Sequence, residues 1–167
     1  MKNTKQKKEY KKMRRKDREV TEIKELIQII DQCKVCRIGM YDNTGLYIVP
    51  MNFGYTYENN KLVLYFHSAK EGRKITALKE NNNVCFEMDC EHRLITGDTA
   101  CRYSYSFKSI IGNGKVVFID EVEEKKTALS ALMKHQTGKD FSFDDKTAEN
   151  VLVFKIIADE FTGKYHP

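Results

Sequence analysis

Between residues 35 and 67 the chain reads as three short β-rich runs separated by turn residues, and this pattern limits the fold more than any other feature. The runs are VCRIGMY (35–41), LYIVPMNFGYTY (46–57) and KLVLYFH (61–67). Asp42, Asn43, Thr44 and Gly45 separate the first pair, and Glu58, Asn59 and Asn60 the second. Branched and aromatic runs bounded by such residues predict strands joined by hairpins, so all three strands are expected to run antiparallel. Pro50 interrupts the second run. A proline there lacks a ladder donor, which predicts an edge strand or a bulge with neighbouring backbone left open to a ligand.

The remaining pattern supplies helices around these strands. Ile23, Leu26, Ile27 and Ile30 recur at i, i+3, i+4 and i+7 and predict an amphipathic helix, with Thr21 as a candidate cap. A short helix is expected at about 69–81, a strand at 83–89, and a loop through Gly97. A long strand follows at 103–119, then a helix at 121–135 and a last strand at 150–158. Six or seven strands at short spacing favour a mainly β fold with flanking helices, an antiparallel barrel rather than a βαβ architecture.

At 167 residues the chain fits one domain. Its formal net charge of +5 is unevenly placed. Residues 1–18 hold ten lysines and arginines against Glu9 and Asp17, which leaves residues 19–167 near neutral or slightly acidic. The arm reads as flexible and solubilising. A nucleic-acid contact is the alternative, and it would weaken steeply with salt. No run approaches the roughly 18 apolar residues of a membrane span, and no apolar signal region follows the basic start, so a cytoplasmic protein is expected.

The five cysteines, an odd number, are expected as free thiols. Cys33 and Cys36 form a CxxC, and with Cys85 and Cys90 they permit a four-thiolate zinc site on paper. Cys36 and Cys85 fall within apolar strand-like runs, where cysteine serves as a small hydrophobe, and that reading is preferred. A thioredoxin-type motif would need the CxxC at a helix start, whereas here a strand follows it. His92 falls in a polar run, and His135 ends a predicted helix. Neither has a nucleophile or metal-ligand partner at a recognisable spacing.

The segment FHSAKEGRK (66–74) carries the most chemistry. Ser68 followed by Glu71 has capping-box spacing, which predicts a helix starting at Ala69 with Ser68 as its cap. Such a terminus offers free amides and the positive end of the helix dipole, and Lys70, Arg73 and Lys74 add cationic side chains. This suits an anion such as a phosphate. A plain capped surface helix is the alternative, because Glu71 can fill the same donors.

The blocks MRRKDRE (13–19), VCRIGM (35–40), YIVPMNFGY (47–55), LYFHSAKEGRK (64–74) and CRYSYSFKSIIGNGK (101–115) resemble the FMN-binding split barrels related to pyridoxamine 5'-phosphate oxidase. Within that family the likeness is to the nitroimidazole-resistance (Nim) branch. The resemblance implies a six-stranded antiparallel split β-barrel and a homodimer with FMN at the subunit interface. It implies flavin contacts at Pro50, Met51, Asn52 and Phe53, with His67, Ser68 and Ala69 near the ribityl chain and ring. Arg73 and Lys74 would hold the phosphate, and Tyr103, Ser109 and Ile110 would approach from the partner chain. It also implies an oxidoreductase that passes electrons from reduced flavin to a small-molecule substrate, with His67 handling that substrate. Two alternatives stand beside this reading. One is a flavin- or haem-binding module without turnover. The other is a pyridoxamine 5'-phosphate oxidase-like enzyme, less well matched because the chain ends in Gly163, Lys164, Tyr165, His166 and Pro167 rather than in an arginine-bearing substrate segment.

Overall fold

The computed structural model describes residues 13–167. The predicted arm therefore lies outside the described residues for positions 1–12. Its last part makes a 3-10 turn at Lys16–Arg18, where Arg15 pairs with Asp17. Strand β1 (Glu19–Val20) and helix α1 (Ile23–Gln32) follow. The helix buries Leu26, Ile29 and Ile30, while Ile23 is exposed, so its apolar stripe is rotated from the predicted one. Glu22 takes the cap position, where Thr21 was expected, and makes no side-chain capping bond.

Strands β2 (Val35–Asp42) and β3 (Gly45–Asn52) form the first hairpin. Asp42 accepts from both the amide and the hydroxyl of Thr44, and Gly45 takes φ +120°, a conformation that side chains resist. Strands β4 (Gly54–Glu58) and β5 (Lys61–Ser68) form the second. Its central residues Asn59 and Asn60 have φ +50° and +59°, the type I′ sign that matches strand twist. The run expected as one strand over 46–57 is thus two, broken at Phe53.

Helix α2 spans Arg73–Glu80, β6 Asn83–Ile95 and β7 Ser104–Ile119. Helix α3 covers Val122–Thr137 and ends on Gly138 in the left-handed conformation, a common C-terminal stop. A short helix α4 (Asp145–Asn150), capped by Asp144, was not expected. The last strand, β8 (Leu152–His166), runs well past the predicted end at 158 because it pairs with β7 along its length.

The sheet order is β3-β2-β6-β7-β8-β5-β4, with β1 added on β8. Eight strands therefore replace the expected six. Strands β3 and β4 lie at opposite ends of this path, yet only Phe53 separates them in sequence. The sheet must roll until its two edges meet at that residue. The edges do not hydrogen-bond to each other, which makes the architecture a split barrel. Inside it Phe53, Phe66, Phe86 and Phe154 are buried with Ile38, Leu64 and Ile156. Pro50 falls on the edge strand β3, where a missing donor costs least.

Helix α3 closes the gap on the β4 side. A Cβ on Gly54 would stand 2.3 Å from the Leu132 backbone, so the helix rests directly on the strand. Gly54→Ala is therefore expected to destabilise the fold by about 1–3 kcal/mol through overpacking. A urea midpoint equal to that of the unmodified chain would show that helix and strand do not meet this closely.

Candidate cofactor site

The segment expected to start a helix at Ala69 instead stays in the sheet. Ser68 is the last residue of β5, opposite Leu152, and α2 begins only at Arg73 with Gly72 as cap at φ +127°. Ser68 makes no capping bond, since sheet pairing outweighs the local capping-box pattern. Its side chain is buried, and its Oγ has no hydrogen-bond partner among the described residues. Ala69 is exposed in the intervening loop. His67, one residue earlier, is exposed at the strand end.

Arg73 opens α2 and points to the tip of the β2–β3 hairpin. Its Nε donates to Asp42 Oδ2 at 2.6 Å, and its Nη2 donates to Asp42 Oδ1 at 3.3 Å and to Thr44 Oγ1 at 2.8 Å. The guanidinium lies over the Tyr47 ring, 4.2 Å from its centroid. Arg73 and the two Thr44 donors hold the Asp42 carboxyl well below the usual carboxylate range. Because the folded value is the depressed one, the clamp is complete above the unfolded pKa of about 4 and is lost only as pH falls further. Lys74 is half-buried and makes no ion pair or side-chain hydrogen bond among the described residues.

The residues expected along the flavin ring divide by face. Pro50 is exposed on the outer face and Met51 half-buried on the inner one. Asn52 is exposed, but its side-chain amide already donates to Lys34 O at 3.0 Å and Gln136 Oε1 at 3.3 Å. Phe53 is fully buried, 4.6 Å from the His135 ring and 6.4 Å from Phe66, so only its backbone can face a ligand. In β7, Ile110 is fully buried and Ser109 half-buried, while Tyr103 is exposed just before the strand. Strand alternation leaves Ile111, not Ile110, on the outer face.

Sequence reasoning missed two further features. An apolar groove of about 480 Å³ runs over the outer face between Tyr41, Leu46, Ile48 and Cys85. Leu46 is 85% exposed and Ile48 65%. The alternation of Leu46, Ile48 and Pro50 along one face of β3 was visible in the sequence as apolar residues at period two. Beside this groove Arg37 Nη1 donates to Glu87 at 2.9 Å and to Asp89 at 2.6 Å, and His92 stands 2.9 Å from Asp89. Burial, with Asp89 alongside, raises the Glu87 carboxyl above its ordinary value.

The second is a cleft of about 680 Å³ between α1, β4 and α3. There Tyr55 donates to Asp31 at 2.6 Å, and His135 Nε2 meets Cys33 O at 2.8 Å. A carbonyl only accepts, so Nε2 carries the proton. Burial lowers the pKa of this histidine. Cys33 and Cys36 are buried as free thiols, Cys36 pushed up to about 12 by burial. Among the described residues no group of three or more His, Cys, Asp or Glu is placed to hold a metal ion, and no helix is long and apolar enough to cross a membrane.

The sequence and the fold are matched elsewhere. Residues 22–165 fit the pyridoxamine 5'-phosphate oxidase family profile. The chain belongs to this family. A solved structure of a candidate 5-nitroimidazole antibiotic resistance protein from Bacteroides thetaiotaomicron is 41% identical, with a TM-score of 0.75 over 88% of this chain and 86% of that one. A FAD and heme binding protein from Mycobacterium smegmatis shares the fold at 16% identity, with a TM-score of 0.75 over 89% of this chain and 73% of that one. A flavocytochrome from Azotobacter vinelandii does so at 18% identity and a TM-score of 0.75, over 93% and 72%. No curated protein sequence is a significant match.

The unpartnered Ser68 Oγ makes a direct prediction. A buried hydroxyl without a partner costs about 1–3 kcal/mol in desolvation, so removing it is neutral or stabilising when nothing is bound. Ser68→Ala is expected to leave the thermal midpoint of the cofactor-free protein unchanged or higher. A clear drop would mean that the hydroxyl has a structural partner.

Proposed function

We propose that this chain is an FMN-dependent oxidoreductase of the nitroimidazole-reductase type, acting as a homodimer on a small acceptor. The observation that carries the reading is the 41% identity, over most of both chains, to a candidate 5-nitroimidazole antibiotic resistance protein. The residues fit the cofactor. An orphaned buried hydroxyl at Ser68 stands at the head of a loop that ends in Arg73 and Lys74, and both Nη1 donors of Arg73 are unengaged among the described residues. Charge-assisted donors of this kind suit a phosphate. The chain has no GxGxxG loop for a dinucleotide, which favours FMN over FAD.

When bound, the flavin supplies the electron-transfer chemistry, and the protein supplies position and electrostatics. Pro50 on the outer face of the open edge strand would line the ring, together with the backbone of Met51, Asn52 and Phe53. Ser68 and Ala69 flank the ribityl chain, and Arg73 and Lys74 neutralise the phosphate. His67, exposed at the end of β5, holds or delivers a proton at an imidazole nitrogen to the reduced acceptor. An imidazole nitrogen can either donate or accept a proton, and so serves either role.

A homodimer is supported by the outer face. Tyr41 on β2 and Leu46 and Ile48 on the adjoining β3, with Ile111 on β7 of the same outer face, are all more than a third exposed, and a second copy would cover such a surface. Tyr103 and the stretch at Ser109 and Ile110 would then reach the flavin from the partner, Ile110 through its backbone because its side chain is buried. A module that binds flavin or haem without turnover is the second reading. The FAD and heme binding neighbour favours it, and comparable reoxidation with and without a nitro-aromatic acceptor would establish it.

The test is to denature the purified protein, identify the released cofactor, and follow oxidation of the reduced holoprotein by a nitroimidazole. FMN release and acceptor-dependent oxidation are expected. FAD, haem or no cofactor after reconstitution with FMN would refute the proposal. His67→Ala is expected to retain FMN while slowing acceptor reduction at least about tenfold, the lower end for loss of a general acid. Unchanged kinetics would return His67 to a surface role. Ile48→Asp is expected to give monomers on sedimentation with loss of bound FMN, and a monomer that keeps FMN would refute the interface site.

A further inference from the structure

The phosphate reading leaves Asp42, Thr44 and Tyr47 without a function, although among the described residues they make the side-chain hydrogen bonds, the ion pair and the ring contact of Arg73. Of the five N–H donors of its guanidinium, Nε–H and both Nη2–H are engaged by the hairpin tip. Thr44 Oγ1 accepts from Nη2 while donating its own proton to Asp42 Oδ1 at 2.7 Å, so acid, hydroxyl and guanidinium close a ring of hydrogen bonds. The Thr44 amide adds a second donor to the same carboxylate oxygen at 2.8 Å. Tyr47 covers one face of the guanidinium. What remains is one edge, the two Nη1 donors, held in a fixed plane.

We infer that Asp42 is a positioning residue for the cofactor phosphate: from the β2–β3 hairpin it orients Arg73 of α2 so that the Nη1 edge is presented to the phosphate. The inference rests on the phosphate role proposed above for Arg73. Arg73 is half exposed, and without the clamp its long side chain would sample many rotamers. Immobilising it beforehand removes an entropic cost from binding. The turn that carries the clamp is itself fixed, because Asp42 caps its own turn through Thr44 and Gly45 supplies the φ of +120° that the hairpin requires. The Asp42 charge also faces the phosphate's neighbourhood and opposes binding. Positioning and repulsion therefore predict opposite signs when Asp42 is removed.

The experiment compares FMN with riboflavin on the full chain, because riboflavin lacks only the phosphate. Affinities are measured by flavin fluorescence quenching for the unmodified protein, Asp42→Ala, Asp42→Asn and Arg73→Ala. Asp42→Ala is expected to lower the preference for FMN about threefold to tenfold, the scale of one freed side chain, with riboflavin affinity unchanged. Asp42→Asn keeps one of the two acceptor oxygens and is expected to lose less of the preference than Asp42→Ala, whereas a purely electrostatic effect would move both variants equally. Stronger FMN binding in both variants would overturn the inference and make Asp42 a competitor of the phosphate. Equal losses for FMN and riboflavin would overturn it in favour of a structural hairpin contact. An Arg73→Ala protein with an unchanged preference would refute the phosphate role of Arg73 itself, an outcome distinct from either result at Asp42.

Discussion

The fold depends on one covalent constraint: the two edge strands of the sheet, β3 and β4, are joined through Phe53 alone. An open sheet of this order would hold those edges a full sheet width apart, at about 4.8 Å per strand. With one residue between them the ends of β3 and β4 stand at most about 7 Å apart, so the sheet has to curl. Burying Phe53 against Phe66 and His135 makes the closure favourable as well as necessary. The barrel stays split there because β3 and β4 exchange no ladder hydrogen bonds on either side of Phe53. The open edge of β3 that results is the backbone against which the proposed ring would lie.

The same closure explains how residues far apart in sequence meet. Rolling the sheet carries α2 onto β2, and so brings Arg73 to Asp42, 31 positions away. Neither hairpin tip nor helix start is a binding site alone. The turn 42–45 is an ordinary two-residue connection, and α2 begins on a glycine with no side-chain cap. Together they fix a cation at the end of a loop whose first residue has an orphaned buried hydroxyl. Two of the least regular features of the chain, Gly72 at φ +127° and Ser68 Oγ without a partner, thus fall within one short segment. Departures from local rules gather where structure serves a ligand.

Much of the architecture was legible because its signals are local. The two hairpins, the long strand near 103–119 and the helix near 121–135 follow from turn residues and periodicity, and each lies close to its expected position. The break at Phe53 was hidden because β-rich residues flank it and no turn residue marks it. The capping-box spacing of Ser68 and Glu71 misled for a related reason: pairing of Ser68 with Leu152, 84 positions on, prevails over a pattern four residues long. Helix α4 carried a usable signal in Asp144, whose side chain caps the Thr147 amide. The Asp42 clamp had none, since a carboxylate in a turn reads as turn chemistry until the fold shows what stands opposite.

Cross-strand register sets what one chain can offer a ligand on β3. Pro50 pairs with Arg37, Arg37 with Glu87, and Glu87 with Ile111, so β7 lies three strands from the open edge. Between them, on the outer face, stands the network of Arg37, Glu87, Asp89 and His92. A planar ligand along Pro50 to Asn52 cannot touch Ser109 of the same chain without lying across these charges. The apolar surface is on either side of that network, with Tyr41, Leu46 and Ile48 towards β3 and Ile111 on β7. The register of β2, β6 and β7 therefore keeps a ligand on the β3 edge apart from β7 of its own chain, just as Phe53 keeps the two edges of the sheet together.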